Sequence, residues 1–129
     1  MKIEHLAIWC KDLAIMSEFY MKYFQATRNE KYHNQTKGFE SYFLTFAEGA
    51  RLELMKMANI PNSSNDIYQQ AIGLTHFAIS VGSEEAVNQL TEQLRHDGFE
   101  IVGEPRRTGD GYYESVVFDP ENNRIEITG

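Results

Sequence analysis

The sequence predicts an α+β fold in which one strand–helix–strand–strand–strand unit is used twice. Three observations carry this. LTHFAIS at 74–80 repeats IEHLAIW at 3–9, each setting a histidine ahead of an alternating apolar strand. Each is followed by a segment of helical periodicity and then by strand-like sequence that closes on a glutamate between aliphatic residues, RLEL at 51–54 and RIEI at 124–127. The spacing agrees to within a loop: 71 positions separate His5 from His76, and 73 separate Glu53 from Glu126.

In the first unit, 3–10 reads as a strand with Leu6, Ile8 and Cys10 on one face and Ile3, His5, Ala7 and Trp9 on the other. Asp12 caps a helix over 13–24, whose Leu13, Met16, Phe19, Tyr20, Tyr23 and Phe24 recur at helical spacing. A strand of poor quality at 27–33 and a turn at 34–38 lead to a strand at 40–47. Glu48 and Gly49 form a hairpin turn, and the chain returns over 50–57.

Residues 58–72, with Pro61 and the polar run Asn62, Ser63, Ser64, Asn65 and Asp66, read as a linker. The expected organisation of the single domain 1–129 is therefore module one at 1–57, linker 58–72 and module two at 73–129. In the second module a strand at 74–81 precedes a helix capped by Ser83, carrying Ala86, Val87, Leu90 and Leu94 and ended by Gly98. A short strand at 99–103, a loop at 104–111, a strand at 112–118, a turn at 119–123 and a strand at 124–128 complete it. Local echoes support the duplication: ESYFLTF at 40–46 with ESVVF at 114–118, and ARLEL at 50–54 with NRIEI at 123–127.

Bulk properties narrow the function classes. The 129 residues suit one compact domain or two small modules, and 42% hydrophobic content with 8 Phe and 7 Tyr supplies a core. A net charge of −7 argues against a nucleic-acid partner, which needs a clustered basic surface. A lone cysteine, Cys10, allows no intrachain disulfide. With no signal-like segment and no apolar run near the roughly 20 residues of a membrane span, the expectation is a cytoplasmic protein without a membrane partner.

The faces concentrate the chemistry. Leu6, Ile8, Cys10, Phe77, Ile79 and Val81 are expected to meet the helices, as are Leu52, Leu54, Ile125 and Ile127. His5, Glu53, His76 and Glu126 then project from the opposite, uncovered face. Singly, a strand histidine is a hydrogen-bonded structural residue and a strand glutamate a solvated one. The recurrence of both at equivalent positions favours a shared site instead. Should the two sheets curve toward each other, two imidazoles and two carboxylates converge on one cavity and suit a divalent metal ion such as Zn, Ni, Co, Fe or Mn.

At these residues the chain resembles the vicinal oxygen chelate superfamily, the glyoxalase/bleomycin-resistance/dioxygenase group. EHLAI, RLEL, LTHFAIS and FDPENNRIEI carry the likeness, which spans essentially the whole chain. The resemblance implies two βαβββ modules forming a curved, barrel-like open sheet around a central cavity with a metal, assembled as a homodimer. His5, Glu53, His76 and Glu126 match the glyoxalase I pattern. Methylmalonyl-CoA epimerases typically carry Gln at the place of Glu53, and ring-cleaving dioxygenases and fosfomycin-modifying enzymes use two His and one Glu. The implied activity is that of a metal-dependent lyase or isomerase acting on a small hemithioacetal-type substrate through an enediolate. Glu126 is the first candidate for its base and Glu53 the second. The glutathione-binding positions of glyoxalase I enzymes have no residue-by-residue match, and the stretch 105–128 looks more like a bacterial lactoylglutathione lyase-like branch. The alternatives are a non-catalytic module that sequesters a small molecule, and another metal-dependent reaction such as epimerisation or thiol transfer.

Secondary candidates remain open. Arg51 and Arg124 share a face with Glu53 and Glu126 and either bind an anionic substrate group or act as rim ion pairs. Trp9 either lines the cavity or is core. The stretch 106–113 reads as a substrate lid or a solvent loop, with Tyr112 or Tyr113 able to reach the cavity. Cys10 is expected to be inert core, and neither His33 nor His96 is a ligand candidate.

Overall fold

The computed structural model describes all residues, 1–129. It divides into two compact units, Met1–Ser64 and Asn65–Gly129. The architecture is α+β, with two helices, one sheet per unit and no closed barrel.

The first unit contains β1 (His5–Trp9), α1 (Leu13–Phe24), β2 (Thr27–Arg28), β3 (Tyr32–Asn34), β4 (Phe39–Thr45) and β5 (Arg51–Lys56). The Asp12 Oδ1 accepts hydrogen bonds from the amides of Ala14 (2.9 Å) and Ile15 (3.0 Å), satisfying two donors that a helix start leaves free. The helical spacing read in the sequence buries Leu13, Met16, Phe19, Tyr20, Tyr23 and Phe24 together with Leu44, Leu52 and Leu54. Each large apolar side chain so placed contributes roughly 1.5–3 kcal/mol.

Strand order is β1-β5-β4-β2, with β3 also on β4. The single strand expected at 27–33 is two short pieces. Asn29 interrupts it: its side-chain Oδ1 accepts from the amide of Phe43 (2.8 Å), a bond that a continuous backbone ladder would otherwise make.

The second unit contains β6 (Phe77–Ser80), α2 (Glu84–His96), β7 (Ile101–Arg107), β8 (Tyr113–Phe118) and β9 (Arg124–Thr128), in sheet order β6-β9-β8-β7. Ser83 caps α2 by accepting from the amide of Ala86 (3.1 Å). Gly98, at φ +90°, adopts the left-handed geometry that ends the helix. Val87 and Leu94 are buried with Val117, Ile125 and Ile127. The buried hydroxyls of Thr91 and Ser115 bond to each other at 2.7 Å, so neither is left unpaired in this core.

Two expectations change here. The expected strand at 74–81 begins only at Phe77, so His76 stands one residue ahead of it; Leu74 is exposed and Thr75 turns its hydroxyl to Gln70 (2.8 Å). The expected short strand at 99–103 instead continues through Pro105 to Arg107. Strand β7 lies at the sheet edge, and its register shifts between Ile101 and Gly103 and between Gly103 and Arg106. An edge with bulges tolerates a proline that lacks an amide proton.

The pairing that matters for function is the same in both units. The first strand lies parallel to the last: β1 on β5 with Ala7 opposite Glu53, and β6 on β9 with Ala78 opposite Glu126. Across the antiparallel neighbour, Phe43 faces Glu53 and Val116 faces Glu126. Ser41 is therefore the counterpart of Glu114, and the echo of ESYFLTF with ESVVF is displaced by one residue. Neither helix is long and apolar enough to cross a membrane.

Candidate functional site

In each unit the parallel pairing sets a histidine, the first residue of β1 or the residue just ahead of β6, diagonally across from the glutamate of the last strand. His5 Nε2 stands 3.9 Å from Glu53 Oε2, and His76 Nε2 stands 3.0 Å from Glu126 Oε2. The neighbouring aliphatics Leu52, Leu54, Ile125 and Ile127 are buried under the helices. Alternation turns the glutamates to the other face, as the sequence predicts. Exposure is graded alike in both pairs. The histidine side chains are 40% and 37% accessible, and the glutamates 15% and 16%.

The β8–β9 turn fixes Glu126. Buried Asp119 accepts from the amides of Glu121 and Asn123 through Oδ1 (both 2.9 Å) and from Asn123 Nδ2 through Oδ2 (2.8 Å). Asn122 takes φ +67°, a conformation asparagine tolerates better than most residues. The FDPENNRIEI motif is thus a register device that sets Glu126 opposite Val116.

Surroundings differ between the pairs. In the first unit the Glu4 carboxylate meets His5 Nδ1 at 2.5 Å through Oε2 and accepts from Arg51 Nε at 2.8 Å through Oε1. The Arg51 guanidinium lies 4.2 Å from the centroid of Phe43, and the Phe43 ring meets His5 edge to face at 5.5 Å. The hydrogen bond from His5, joined by that from Arg51, holds the Glu4 carboxyl below its ordinary value. In the second unit the extra carboxyl belongs to Glu114, which is buried. Burial raises its pKa, and a hydrogen bond with Glu126 raises it further; Arg106, 3.3 Å away, opposes the rise.

Neither Glu4 nor Glu114 belongs to the histidine and glutamate repeat that the sequence displays. The signal for Glu114 is its alternation with Glu126 on paired strands, hidden by the one-residue displacement of the echo. Glu4 carries no such signal, since strand alternation sends neighbours to opposite faces; it reaches His5 because β1 begins only at His5.

The secondary candidates are largely engaged. Arg51 pairs with Glu4, and Arg124 donates to the Ile67 carbonyl (3.1 Å) and lies over Phe118. Trp9 is 41% exposed on the His5 face, edge to face with Phe39, and is not core. Cys10 is buried. Arg107 pairs with Glu84 and Tyr113 donates to Asn88 (2.9 Å), so the stretch 106–113 is tied to α2 at both residues, while Tyr112 is exposed. His33 lies in β3 opposite Glu40, and His96 contacts Asp97.

No group of three or more His, Cys, Asp or Glu side chains is arranged to hold a metal ion. Each unit presents a pair. Ligands about 2.1 Å from a divalent ion stand about 3 Å apart when adjacent in an octahedron and about 3.4 Å apart in a tetrahedron. The 3.0 Å of His76 and Glu126 meets the first spacing, and the 3.9 Å of His5 and Glu53 needs a closure of under about 1 Å. Imidazole nitrogen beside carboxylate oxygen is donor chemistry that such an ion accepts, so each pair by itself fits as two ligands.

The sequence model of the Glyoxalase/Bleomycin resistance protein/Dioxygenase superfamily matches residues 2–127, and the chain belongs to that superfamily. Its curated relatives include the uncharacterized protein YqjT of Bacillus subtilis, 21% identical over 97% of this chain and 96% of that one. Among solved structures, a glyoxylase/bleomycin resistance protein/dioxygenase domain from a Frankia species superimposes with a TM-score of 0.81, at 16% identity over 99% of this chain and 96% of that one. A glyoxalase family protein from Enterococcus faecalis gives 0.76 at 24% identity, covering 99% and 97%. The trypanothione-dependent glyoxalase I of Leishmania major gives 0.77 at 20% identity, covering 100% and 86%. At these identities the likeness establishes the fold.

Proposed function

We propose that the protein is a metal-dependent lyase or isomerase of the glyoxalase I type, in which His5, Glu53, His76 and Glu126 together hold one divalent ion, Zn or Ni. The observation that carries this is the repeated pair. An imidazole nitrogen and a carboxylate oxygen stand 3.9 Å and 3.0 Å apart on the same diagonal of a parallel strand pair in both units. Two ligands hold an ion weakly, whereas four complete a site with room for substrate.

When bound, the ion supplies Lewis acidity toward the oxygens of a hemithioacetal-type substrate. The histidines contribute neutral donors. Glu126 moves a proton between adjacent substrate carbons, and its hydrogen bond with the Glu114 carboxyl holds it in place. Glu53 is the second choice for that task, with Ser41 at the place that Glu114 takes in the second unit. Membership of the superfamily also supports a homodimer and a small-molecule substrate.

The test is to load the metal-free protein with Zn or Ni and assay a panel of hemithioacetals made from methylglyoxal and different thiols. Turnover that chelation abolishes and reloading restores is the expected result. A loaded protein inactive on every member breaks the glyoxalase I reading. Tight binding of a small aromatic or cationic compound, with no stoichiometric metal, would move the assignment to a sequestering role.

A further inference from the structure

We infer that Glu4, braced by Arg51, is a positioning residue that fixes the tautomer and ring orientation of His5 and presents its Nε2 lone pair toward Glu53. The inference builds on the metal reading above, and its first measurement is independent of it.

The geometry is a closed circuit. Glu4 Oε2 takes His5 Nδ1 at 2.5 Å, and Glu4 Oε1 accepts from Arg51 Nε at 2.8 Å. Arg51 lies over Phe43 at 4.2 Å, and Phe43 returns to His5 edge to face at 5.5 Å. The backbone closes the same loop, since the Arg51 amide donates to the Glu4 carbonyl at 3.0 Å. A carboxylate only accepts, so the His5 nitrogen facing it is the one that bears hydrogen. In the neutral ring the proton therefore sits on Nδ1, and Nε2, 3.9 Å from Glu53, keeps its lone pair. The carboxylate would in turn raise the basicity of that nitrogen as a ligand. Both ends of Glu4 are occupied, so it cannot swing to Glu53 without abandoning Arg51.

The second unit lacks the device. Thr75 stands where Glu4 stands, and its hydroxyl is turned to Gln70. Arg124, the counterpart of Arg51, donates to the Ile67 carbonyl instead. His76 has only its direct contact with Glu126 at 3.0 Å. The donor weaker in direct contact with its glutamate is thus the one with an external brace.

The experiment reads imidazole ¹⁵N–¹H correlations of the metal-free protein at a pH where the ring is neutral, then the dissociation constant for Ni or Zn by calorimetry. Wild-type His5 is expected as the Nδ1–H tautomer. Glu4→Ala should shift it toward Nε2–H and weaken ion binding about 10–100-fold, the usual cost of losing such a partner. Glu4→Gln, whose Oε1 still accepts, should keep the tautomer and most of the affinity. Thr75→Ala should leave the affinity unchanged. A wild-type His5 found as Nε2–H, or a Glu4→Ala protein with tautomer and affinity both unaltered, overturns the inference. Wild-type protein that binds no ion breaks the metal reading instead, and the tautomer measurement, which requires no variant to fold, then decides the role of Glu4 alone.

Discussion

The two units present the same pair of donors and support them in opposite ways. In the first, the reinforcement is on the histidine: Glu4, held by Arg51, and Phe43 contact His5, while Glu53 has Phe43 across the strand. In the second, it is on the glutamate: buried Glu114 hydrogen-bonds Glu126, and Thr75 offers His76 nothing comparable. The two units share the donor atoms and the strand diagonal that carries them, and differ in their surroundings. Under the proposed function, such a repeat is compatible with a single-sided division of labour, in which one unit would chiefly hold the ion and the other would chiefly move a proton.

That division breaks or sharpens on substitution. The largest expected effect is at the glutamates. Glu126→Gln should lower kcat of the metal-loaded protein by about 10²–10⁴-fold, the usual share of a positioned general base. Glu53→Gln should weaken ion binding with a smaller fall in kcat at saturating metal. Equal losses in kcat would erase the asymmetry; the reverse order would transfer the base to Glu53.

Next come the equivalent core residues beneath them. Leu54→Ala and Ile127→Ala each remove a fully buried side chain from beside a glutamate and should cost about 2–5 kcal/mol in urea unfolding. Similar costs would show that the units resemble each other in packing while differing at the donors. Asp119→Ala should cost about 1–3 kcal/mol, because it removes the buried carboxylate that pairs the part-buried amides of the turn. It should also weaken ion binding through misplacement of Glu126, a penalty with no counterpart at the Gly49 hairpin of the first unit.

The smallest effect concerns Glu114 in the metal-free protein. Its pKa is raised in the folded state by burial and by Glu126. Its contribution to stability is thus complete below the unfolded carboxyl range, about pH 4.3, and is lost as pH rises through the raised folded value. Glu114→Gln should match wild type in acid and gain on it toward neutrality. Urea midpoints measured at both ends would show this; parallel curves would mean the carboxyl pair does not form.

Periodicity made much of this legible. Alternation in β1, β5 and β9 and helical spacing in α1 and α2 fixed which side chains face the core, and with them the outward direction of Glu53 and Glu126. What escaped lies at breaks in periodicity. Pro105 looked like a loop residue, because a one-dimensional pattern does not reveal that β7 is a bulged edge. His76 was expected inside a strand, and the exposed Leu74 and the Thr75–Gln70 bond end the ladder sooner. Glu4 was unreadable because its effect depends on side-chain reach from a residue just outside a strand. Arg51 and Arg124 were readable as same-face cations, but their partners, Glu4 and the Ile67 carbonyl, were not.

The parallel pairing of first strand with last bears on how the units assemble. His5 pairs at Arg51 and Phe77 at Ile125, so each closure joins residues more than forty positions apart in sequence. Such long-range pairing is entropically expensive before it is rewarded and tends to come late in folding. A histidine and its glutamate therefore become neighbours only when a unit is finished, and an unfolded chain offers no chelating pair. An ion that grips the pair would bind the native state in preference to the unfolded chain. At a hundred times its dissociation constant it would add about 2.7 kcal/mol to unfolding. Metal supply would then raise the stability of the folded protein as well as its competence.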